Sequence, residues 1–319
     1  MRERQGKGGM EGPEPHARGI ERGIERLELV RKAKESARAA GDLRGQKARG
    51  WTEKVLTRTA TGAVYAILTV VCLFWGKVPT AVLVTAMAWT CCSEFFRMSR
   101  MGGHEPNEIL GLGASILFTL APLASHGSAT LYVLLLMMVL CAVWYVMTPR
   151  AGIADVALTA FGPIYTSLMF STIVTIRSAA PGFDGGLLAF GVMGSVWLND
   201  ATAYFVGTRF GRHKLAPKIS PNKSIEGLFG GLAGSVLIWL VMAVIPVSGI
   251  GWPLALVAGP VVGIMAVAGD LFESRVKRGV GVKDSGNVLP GHGGLLDRSD
   301  SMLFGCAVAF LLLRLGGVL

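Results

Sequence analysis

The chain has little charge outside its first 56 residues, and this scarcity excludes an ordinary soluble domain. Only 16% of its 319 residues are charged, whereas 51% are hydrophobic, and the mean hydropathy is +0.51. The few charges stand in blocks that are separated by apolar runs, and such runs span a bilayer when they reach about 20 residues. The sequence therefore predicts an all-α, polytopic integral membrane protein.

Several signatures are missing, and each absence removes a class of protein. The five cysteines lie in or beside apolar runs, without a C-x-x-C pair or the Cys/His spacing of a zinc site. These cysteines are therefore better interpreted as small, buried apolar residues. No G-x-x-x-x-G-K-[ST] loop occurs, which disfavours a P-loop ATPase.

Residues 1–56 form a separate polar region. They carry 14 Lys and Arg against nine acids, which accounts for about half of the formal net charge of +10. The region lacks the apolar segment of a signal peptide. We expect a basic, disordered cytoplasmic tail without a catalytic role, although a charged helix over 20–40 lying on anionic lipid is the alternative.

From residue 57 onward, the apolar runs predict nine transmembrane helices, divided into an N-terminal group over 57–185 and a C-terminal, chemically richer region over 186–319. If the tail is cytoplasmic, 14 of the other 17 Lys and Arg fall on the cytoplasmic side. The predicted spans are 57–75, 78–96, 107–125, 129–147, 153–176, 186–208, 226–248, 252–272 and 301–319.

Polar chemistry is concentrated near the end of the chain, in two clusters that flank a glycine-rich segment. Asp270, Ser274 and Lys277 follow one another at i, i+4 and i+7, so a helix would place all three on one face. Asp297 and Asp300 form a second pair, one turn apart. Two carboxylates on one face can share a hard cation such as Mg²⁺, and glycine backbone N–H groups can approach phosphate oxygens. The segment predicts an anion held together with a metal.

A second polar stretch precedes the predicted seventh span. The segment 209–227 holds five basic residues, which could be only a positive-inside anchor. Ser220 followed by Pro221, however, is typical of a helix N-cap and N1 pair, and such a helix start would aim its N–H groups at a phosphate. Asp200, inside an apolar span, either pairs with a base in the bundle or faces a polar or metal-linked site.

At these residues the sequence resembles a known family. From Ser274 it reads S-x-V-K-R, then four residues, then K-D-x-G-x-x-L-P-x-H-G-G-L-x-D-R-x-D, which is similar to the signature of phosphatidate cytidylyltransferases, or CDP-diacylglycerol synthases. N-D-x-x-A-Y over 199–204 and S-P-x-K-S-x-E-G over 220–227 resemble further blocks of that family. The resemblance covers roughly 195–305, with departures at Ser299 and Asn222.

The resemblance implies a Mg²⁺-dependent nucleotidyltransferase of phospholipid biosynthesis in the cell (inner) membrane. It would join CTP and phosphatidate, a membrane lipid, at a cytoplasmic site, with a second cation and a homodimer as open questions and no nucleic acid as partner. We assign catalysis to Lys277, Asp297, Asp270 and Ser274, the metal to Asp297, Asp300 and Asp270, and a polar membrane site to Asp200. Substrate binding is assigned to Ser220, Lys223, Arg278, Lys283, His292, Gly293 and Arg298.

Alternatives remain open at this point. A related CTP-dependent transferase could use another lipid acceptor, whereas a CDP-alcohol phosphotransferase is disfavoured because its D-G-x-x-A-R motif is missing. A transporter would explain nine helices with buried acids, but it predicts polar residues along a path through several spans. Glycines at GxxxG spacing (Gly227, Gly230, Gly231 and Gly234) predict close helix packing, either within the chain or at a dimer interface.

Overall fold

The computed structural model describes residues 28–32, 61–124, 127–245, 247, 249–286, 288 and 293–319. The chain divides into two compact units, Met1–Thr57 and Arg58–Leu319. Of the first unit only residues 28–32 are described, and they are helical and exposed. The predictions for the rest of the tail therefore lie outside the described residues, and the boundary between 57–185 and 186–319 stays a prediction.

The second unit is built from helices and one short hairpin. Pro163 lacks a backbone N–H, and the helix that contains it passes into a five-residue π-helical segment, Ile164–Leu168. The helices are α1 (Thr61–Trp75), α2 (Lys77–Met101), α3 (Glu108–Leu120), α4 (Ala129–Met147), α5 (Ile153–Pro163), α6 (Met169–Ser178), α7 (Gly182–Phe210), α8 (Ile225–Val244), α9 (Trp252–Gly279) and α10 (Asp300–Leu315). Short 3₁₀ helices occupy Ala121–Leu123 and Leu296–Arg298, and the hairpin strands are β1 (Lys214–Ala216) and β2 (Ser220–Ser224).

The prediction of an all-α polytopic membrane protein is confirmed. Within the described part of the chain, five helical segments are long and apolar enough to cross a membrane, and two apolar helices are shorter. The number of nine spans stays a prediction. The five long segments are Lys77–Met101, Ala129–Met147, Ile153–Ser178, Ile225–Val244 and Trp252–Gly279.

The buried core joins α2 to the C-terminal helices. Phe96 of α2, Trp239 of α8 and Leu303 of α10 are all fully enclosed in one apolar cluster. Helix α4 is different, because only Met137 and Cys141 of its residues are buried. A helix that is apolar around its whole circumference yet exposed within the chain is suited to contact lipid.

Small residues allow α7, α8 and α9 to approach closely. An added Cβ at Gly231 of α8 would lie 2.9 Å from Asn199 Oδ1 of α7, and one at Gly263 of α9 would lie 3.0 Å from the same oxygen. Ser235 of α8 also donates to the carbonyl of Gly259 in α9 at 2.7 Å. The predicted close packing of the GxxxG glycines is thus found within the chain, against α7.

This packing makes a testable difference between two helical glycines. Gly234→Ala on α8 would push Cβ into Thr202 Oγ1 and to 2.9 Å from Leu198 O, whereas Gly113→Ala on α3 meets open space. We expect Gly234→Ala to destabilise the protein by about 1 to 3 kcal/mol through overpacking. Gly113→Ala should be neutral or stabilising, because Ala is the better helix former. Melting curves of both variants in detergent measure this, and equal melting temperatures would contradict the packing.

The predicted helix start at Ser220 and Pro221 is wrong. These residues begin β2, which pairs antiparallel with β1, and α8 begins only after Ser224, whose Oγ accepts from Gly227 N at 3.1 Å. Glu226 in the first turn accepts from His213 N at 3.2 Å and from His213 Nδ1 at 2.6 Å. This second capping signal, with its ties to the hairpin, explains why the helix starts later.

Candidate active site

A charged cavity of about 630 Å³ lies where α7 and α9 end and where α8 and α10 begin. The hairpin strand β2 adds a further wall. The cavity therefore gathers acids and bases at one end of the bundle, which is the arrangement that a transporter path through several spans would not produce. The charged lining residues are Asp200, Lys223, Asp270, Asp297, Arg298 and Asp300.

The C-terminal part of α9 presents the predicted polar face. The helix continues to Gly279, past the predicted end at 272. Ser274 Oγ donates to Asp270 Oδ1 at 3.3 Å, as the i, i+4 spacing predicts. Lys223 Nζ reaches across from β2 to lie 2.7 Å from Asp270 Oδ2. This ion pair ties the hairpin to α9 at the cavity wall.

Asp297 is held from two sides. Its Oδ1 accepts from Lys277 Nζ at 2.6 Å, and its Oδ2 accepts from the backbone N–H groups of Ser285 at 2.9 Å and Gly294 at 3.0 Å. Burial would raise the pKa of Asp297, but the Lys277 ammonium and the Ser285 N–H outweigh it, so the pKa lies below the ordinary value. Asp297 is therefore an ionised group that orients Lys277.

Lys277 is shared between two carboxylates. Besides Asp297 it pairs with Glu273 one turn earlier on α9, and the Glu273 side chain is fully buried. Arg275, two residues before Lys277, is exposed on another face of the helix. The two cations thus lie on different faces of α9, as the helical spacing predicts.

The carboxylates fit a Mg²⁺ ion only if the substrate helps to bind it. Among the described residues, no group of three or more His, Cys, Asp or Glu is placed to hold a metal ion alone. Mg²⁺ commonly takes one or two carboxylates and completes its shell with water and substrate phosphates. Asp270 and Asp300 line the same cavity, and so does Asp297, whose two oxygens already accept from Lys277, Ser285 and Gly294. These three residues fit an ion shared with a bound triphosphate.

Asp200 also opens into this cavity. Its neighbour Asn199 is fully buried and donates from Nδ2 to Asp200 Oδ1 at 3.5 Å. No base forms an ion pair with Asp200 in the described part of the chain, and its assignment to a polar or metal-linked site stays a prediction.

The remaining predicted residues are dispersed. Ser220 lies on β2 outside the cavity lining, and Lys283 is exposed outside it as well. Arg278 is exposed and donates from Nη1 to Val282 O at 3.2 Å. Gly293 adopts a φ of 87°, which favours glycine. His292 lies outside the described residues, so its predicted ligand contact stays a prediction.

Two residues of α2, for which the sequence predicts no role, contact the glycine-rich segment. Glu94 is buried at 4% exposure and accepts three hydrogen bonds from Ser285, Leu295 and Leu296. Arg97 donates to the carbonyl of Ser285. A signal was present, because Glu94 is an acid inside an apolar predicted span, as Asp200 is.

These features define a helical membrane protein with a charged cavity, lined by bases and carboxylates, at one end of its bundle. Residues 56–316 match the cytidylyltransferase family. The chain is 32% identical over 263 residues to a phosphatidate cytidylyltransferase of Bacillus subtilis (strain 168), which covers 81% of this chain and 97% of that protein. It is 31% identical over 253 residues to one of Staphylococcus aureus (strain COL), covering 77% and 94%. A third, from Thermotoga maritima, is 42% identical over 136 residues, covering 41% and 50%.

The chain belongs to the cytidylyltransferase family. The resemblance drawn from the motif stretch is confirmed by a match that extends over most of the chain, including the N-terminal helices that carry few polar residues.

Proposed function

We propose that the protein joins CTP and phosphatidate to give CDP-diacylglycerol and pyrophosphate. The observation that carries this proposal is the cavity, in which two cations, Lys223 and Arg298, face carboxylates suited to a metal. Two relatives that align with this chain over nearly their whole length are phosphatidate cytidylyltransferases. A site at the ends of membrane helices can meet a lipid headgroup and a soluble nucleotide together.

In the proposed reaction, a phosphate oxygen of phosphatidate attacks the α-phosphorus of CTP. The bond from the α-phosphorus to the bridging oxygen breaks, and pyrophosphate leaves with that electron pair. A phosphate monoester is already largely ionised at neutral pH, so no strong general base is required. Catalysis then depends on positioning and on neutralising negative charge.

The cavity supplies positive charge that can neutralise the phosphates. Lys223 and Arg298 line it directly, and we assign them to phosphate oxygens of the substrates. Lys277 lies outside the cavity lining but binds Asp297, which lines the cavity, and we assign Lys277 to the charge that develops during transfer. Ser274 is a hydrogen-bond donor, now directed to Asp270.

We further propose that Asp270, Asp300 and Asp297 hold Mg²⁺ together with the substrate phosphates. The bound ion would supply Lewis-acid neutralisation of phosphate oxygens. In this structure, the Lys223 ammonium pairs with Asp270 Oδ2. A bound triphosphate would offer Lys223 other acceptors. Asp270 can then turn an oxygen to an ion.

The proposed location is the inner membrane, with the cavity on the cytoplasmic side. The supporting argument is that 14 of the 17 Lys and Arg after residue 56 fall on the same side as the motif stretch if all nine predicted spans cross the membrane. A homodimer, which the resemblance implies, is proposed through a surface other than the glycines of α8, since those pack on α7.

A labelling experiment tests the orientation. Single cysteines replacing the exposed Lys218 and Val288 should react with an impermeant maleimide only from the cytoplasmic side, and a cysteine replacing exposed Phe183 should react only from the other side. Four of the native cysteines are buried, so labelled peptides are identified by mass spectrometry. Reaction of Lys218→Cys or Val288→Cys from outside the cell would reverse the topology.

The activity itself is tested with purified protein, labelled CTP, Mg²⁺ and phosphatidate. We expect lipid-soluble cytidine together with one pyrophosphate for each turnover. Parallel reactions with other phosphorylated lipids distinguish a related transferase with a different acceptor. Product from another lipid but none from phosphatidate would replace the proposed substrate, and no lipid-soluble cytidine with any acceptor would contradict the proposed class.

A further inference from the structure

Helix α2 contacts both ends of the glycine-rich loop 286–294. We call Ser285 and Gly286 the incoming stem of this loop, and Gly294, Leu295 and Leu296 its outgoing stem. Glu94 Oε2 accepts from Ser285 Oγ at 2.9 Å, on the incoming stem, and from Leu296 N at 2.8 Å, on the outgoing stem. Glu94 Oε1 accepts from Leu295 N at 3.0 Å. One buried carboxylate therefore joins the two stems by hydrogen bonds, and we call this junction the loop base.

Two glycines of the stems lie against this carboxylate. A Cβ at Gly286 would collide with Glu94 Oε1, and a Cβ at Gly294 would lie 2.6 Å from Glu94 Oε2. Only glycine at these two positions lets both stems approach the carboxylate. Arg97, one turn further along α2, donates to the carbonyl of Ser285 and adds a second tie to the same stem.

The same stems also hold Asp297. Ser285 and Gly294 donate their backbone N–H groups to Asp297 Oδ2, while Asp297 Oδ1 binds Lys277. A hydrogen-bonded path thus runs from Glu94 through Ser285 to Asp297 and on to Lys277. Each group on the path has little freedom to reorient because it is buried or bonded on two sides.

We infer that Glu94 is a positioning residue for the transfer reaction, which fixes the loop base and, through Ser285, the orientation of Asp297 and Lys277. The inference rests on the proposed function. Glu94 lines none of the charged cavity, so it acts only through these contacts. The N-terminal helices are therefore part of the active-site support and not only a membrane anchor.

The first experiment compares Glu94→Gln with Glu108→Gln in the purified full-length enzyme. Glutamine keeps the shape but turns an NH₂ group toward backbone N–H donors, so the loop base cannot close as before. We expect kcat to fall roughly 10- to 100-fold, as when an orienting outer partner is removed, with a smaller change in KM for CTP. Glu108, which pairs with Arg100 away from the loop, should show little change.

A double-mutant cycle tests the path. Ser285→Ala removes the hydroxyl donor but keeps the N–H that bonds Asp297. If Glu94 acts through Ser285, the kcat losses of Glu94→Gln and Ser285→Ala should be clearly less than additive in the double variant. Full additivity would break the proposed link.

A loop measurement is independent of turnover. Val288 lies in the loop and is 56% exposed, and a cysteine there reports access by its rate of maleimide labelling. Glu94→Gln should raise that rate and weaken its slowing by CTP, while Glu108→Gln should leave both unchanged. If wild-type protein makes no CDP-lipid, the proposed function fails, yet this labelling still tests the loop contact.

Two results would overturn the inference. Unchanged kcat and unchanged Val288→Cys labelling in Glu94→Gln would show that the contact has no positioning role. A lowered melting temperature with normal kcat for the folded fraction would make Glu94 a stabilising residue alone.

Discussion

Lys277→Ala is expected to lower kcat roughly a hundredfold or more, in the range seen when one preorganised charge-stabilising group is lost. Lys277 is buried and oriented by Asp297 at 2.6 Å. Arg275, only two residues away, is exposed on another face of α9. Arg275→Ala should therefore lose much less, and steady-state rates with saturating CTP and phosphatidate measure both.

Lys277→Ala also leaves Glu273 buried without its cation, which can destabilise a protein by about 3 to 5 kcal/mol. The double variant Glu273→Gln/Lys277→Met removes both charges and separates the two effects. We expect it to melt above Lys277→Ala, but below wild type because Asp297 also loses its cation, while its kcat stays low. Recovery of the rate along with the melting temperature would mean that Lys277 is structural, and equal losses for Arg275→Ala would contradict the assigned face.

The helical face of α9 could be predicted because it depends on local spacing. Asp270 and Ser274 lie one turn apart in any α-helix, and the hydrogen bond between them follows from that geometry. The membrane class could be predicted for a similar reason, since it depends only on the length and composition of the apolar runs. Charged residues after 272 suggested the end of a span, but α9 continues to Gly279, with Glu273 and Lys277 paired along it.

The start of α8 was mispredicted because two capping signals compete in one segment. Ser220 with Pro221 is favourable locally, yet Ser224 caps α8 and Glu226 accepts from the N–H groups of Arg212 and His213, just before β1. That advantage depends on the folded hairpin, which spacing does not reveal.

Glu94 was missed for a related reason. Its partners, Ser285, Leu295 and Leu296, are far along the chain. A single sequence shows that a buried acid needs donors but does not say which ones. The dual role of Asp297, which binds Lys277 with one oxygen and two loop N–H groups with the other, is hidden in the same way.

Asp300→Asn is expected to abolish most activity or to raise the Mg²⁺ concentration for half-maximal rate by about tenfold or more, because asparagine keeps the shape but lacks the charge that binds Mg²⁺. Asp300 is 8% exposed, lines the cavity with Asp270, and accepts from Ser301 N at 2.7 Å. Removing a buried charge that has no basic partner in the described region should not lower the melting temperature. Mg²⁺ titration of the rate and melting curves with and without Mg²⁺ and CTP are the measurements.

Asp297→Asn is the matched control, because it removes the same charge from a residue that also pairs with Lys277. We expect it to lower both kcat and the melting temperature, since the ion pair and the bond to Ser285 weaken together. Its Mg²⁺ requirement should rise less than that of Asp300→Asn, because both oxygens of Asp297 already accept from Lys277, Ser285 and Gly294. If both variants keep the wild-type Mg²⁺ curve, and Mg²⁺ with CTP raises their melting temperatures as it does for wild type, then these aspartates do not bind the metal and the proposed site is wrong.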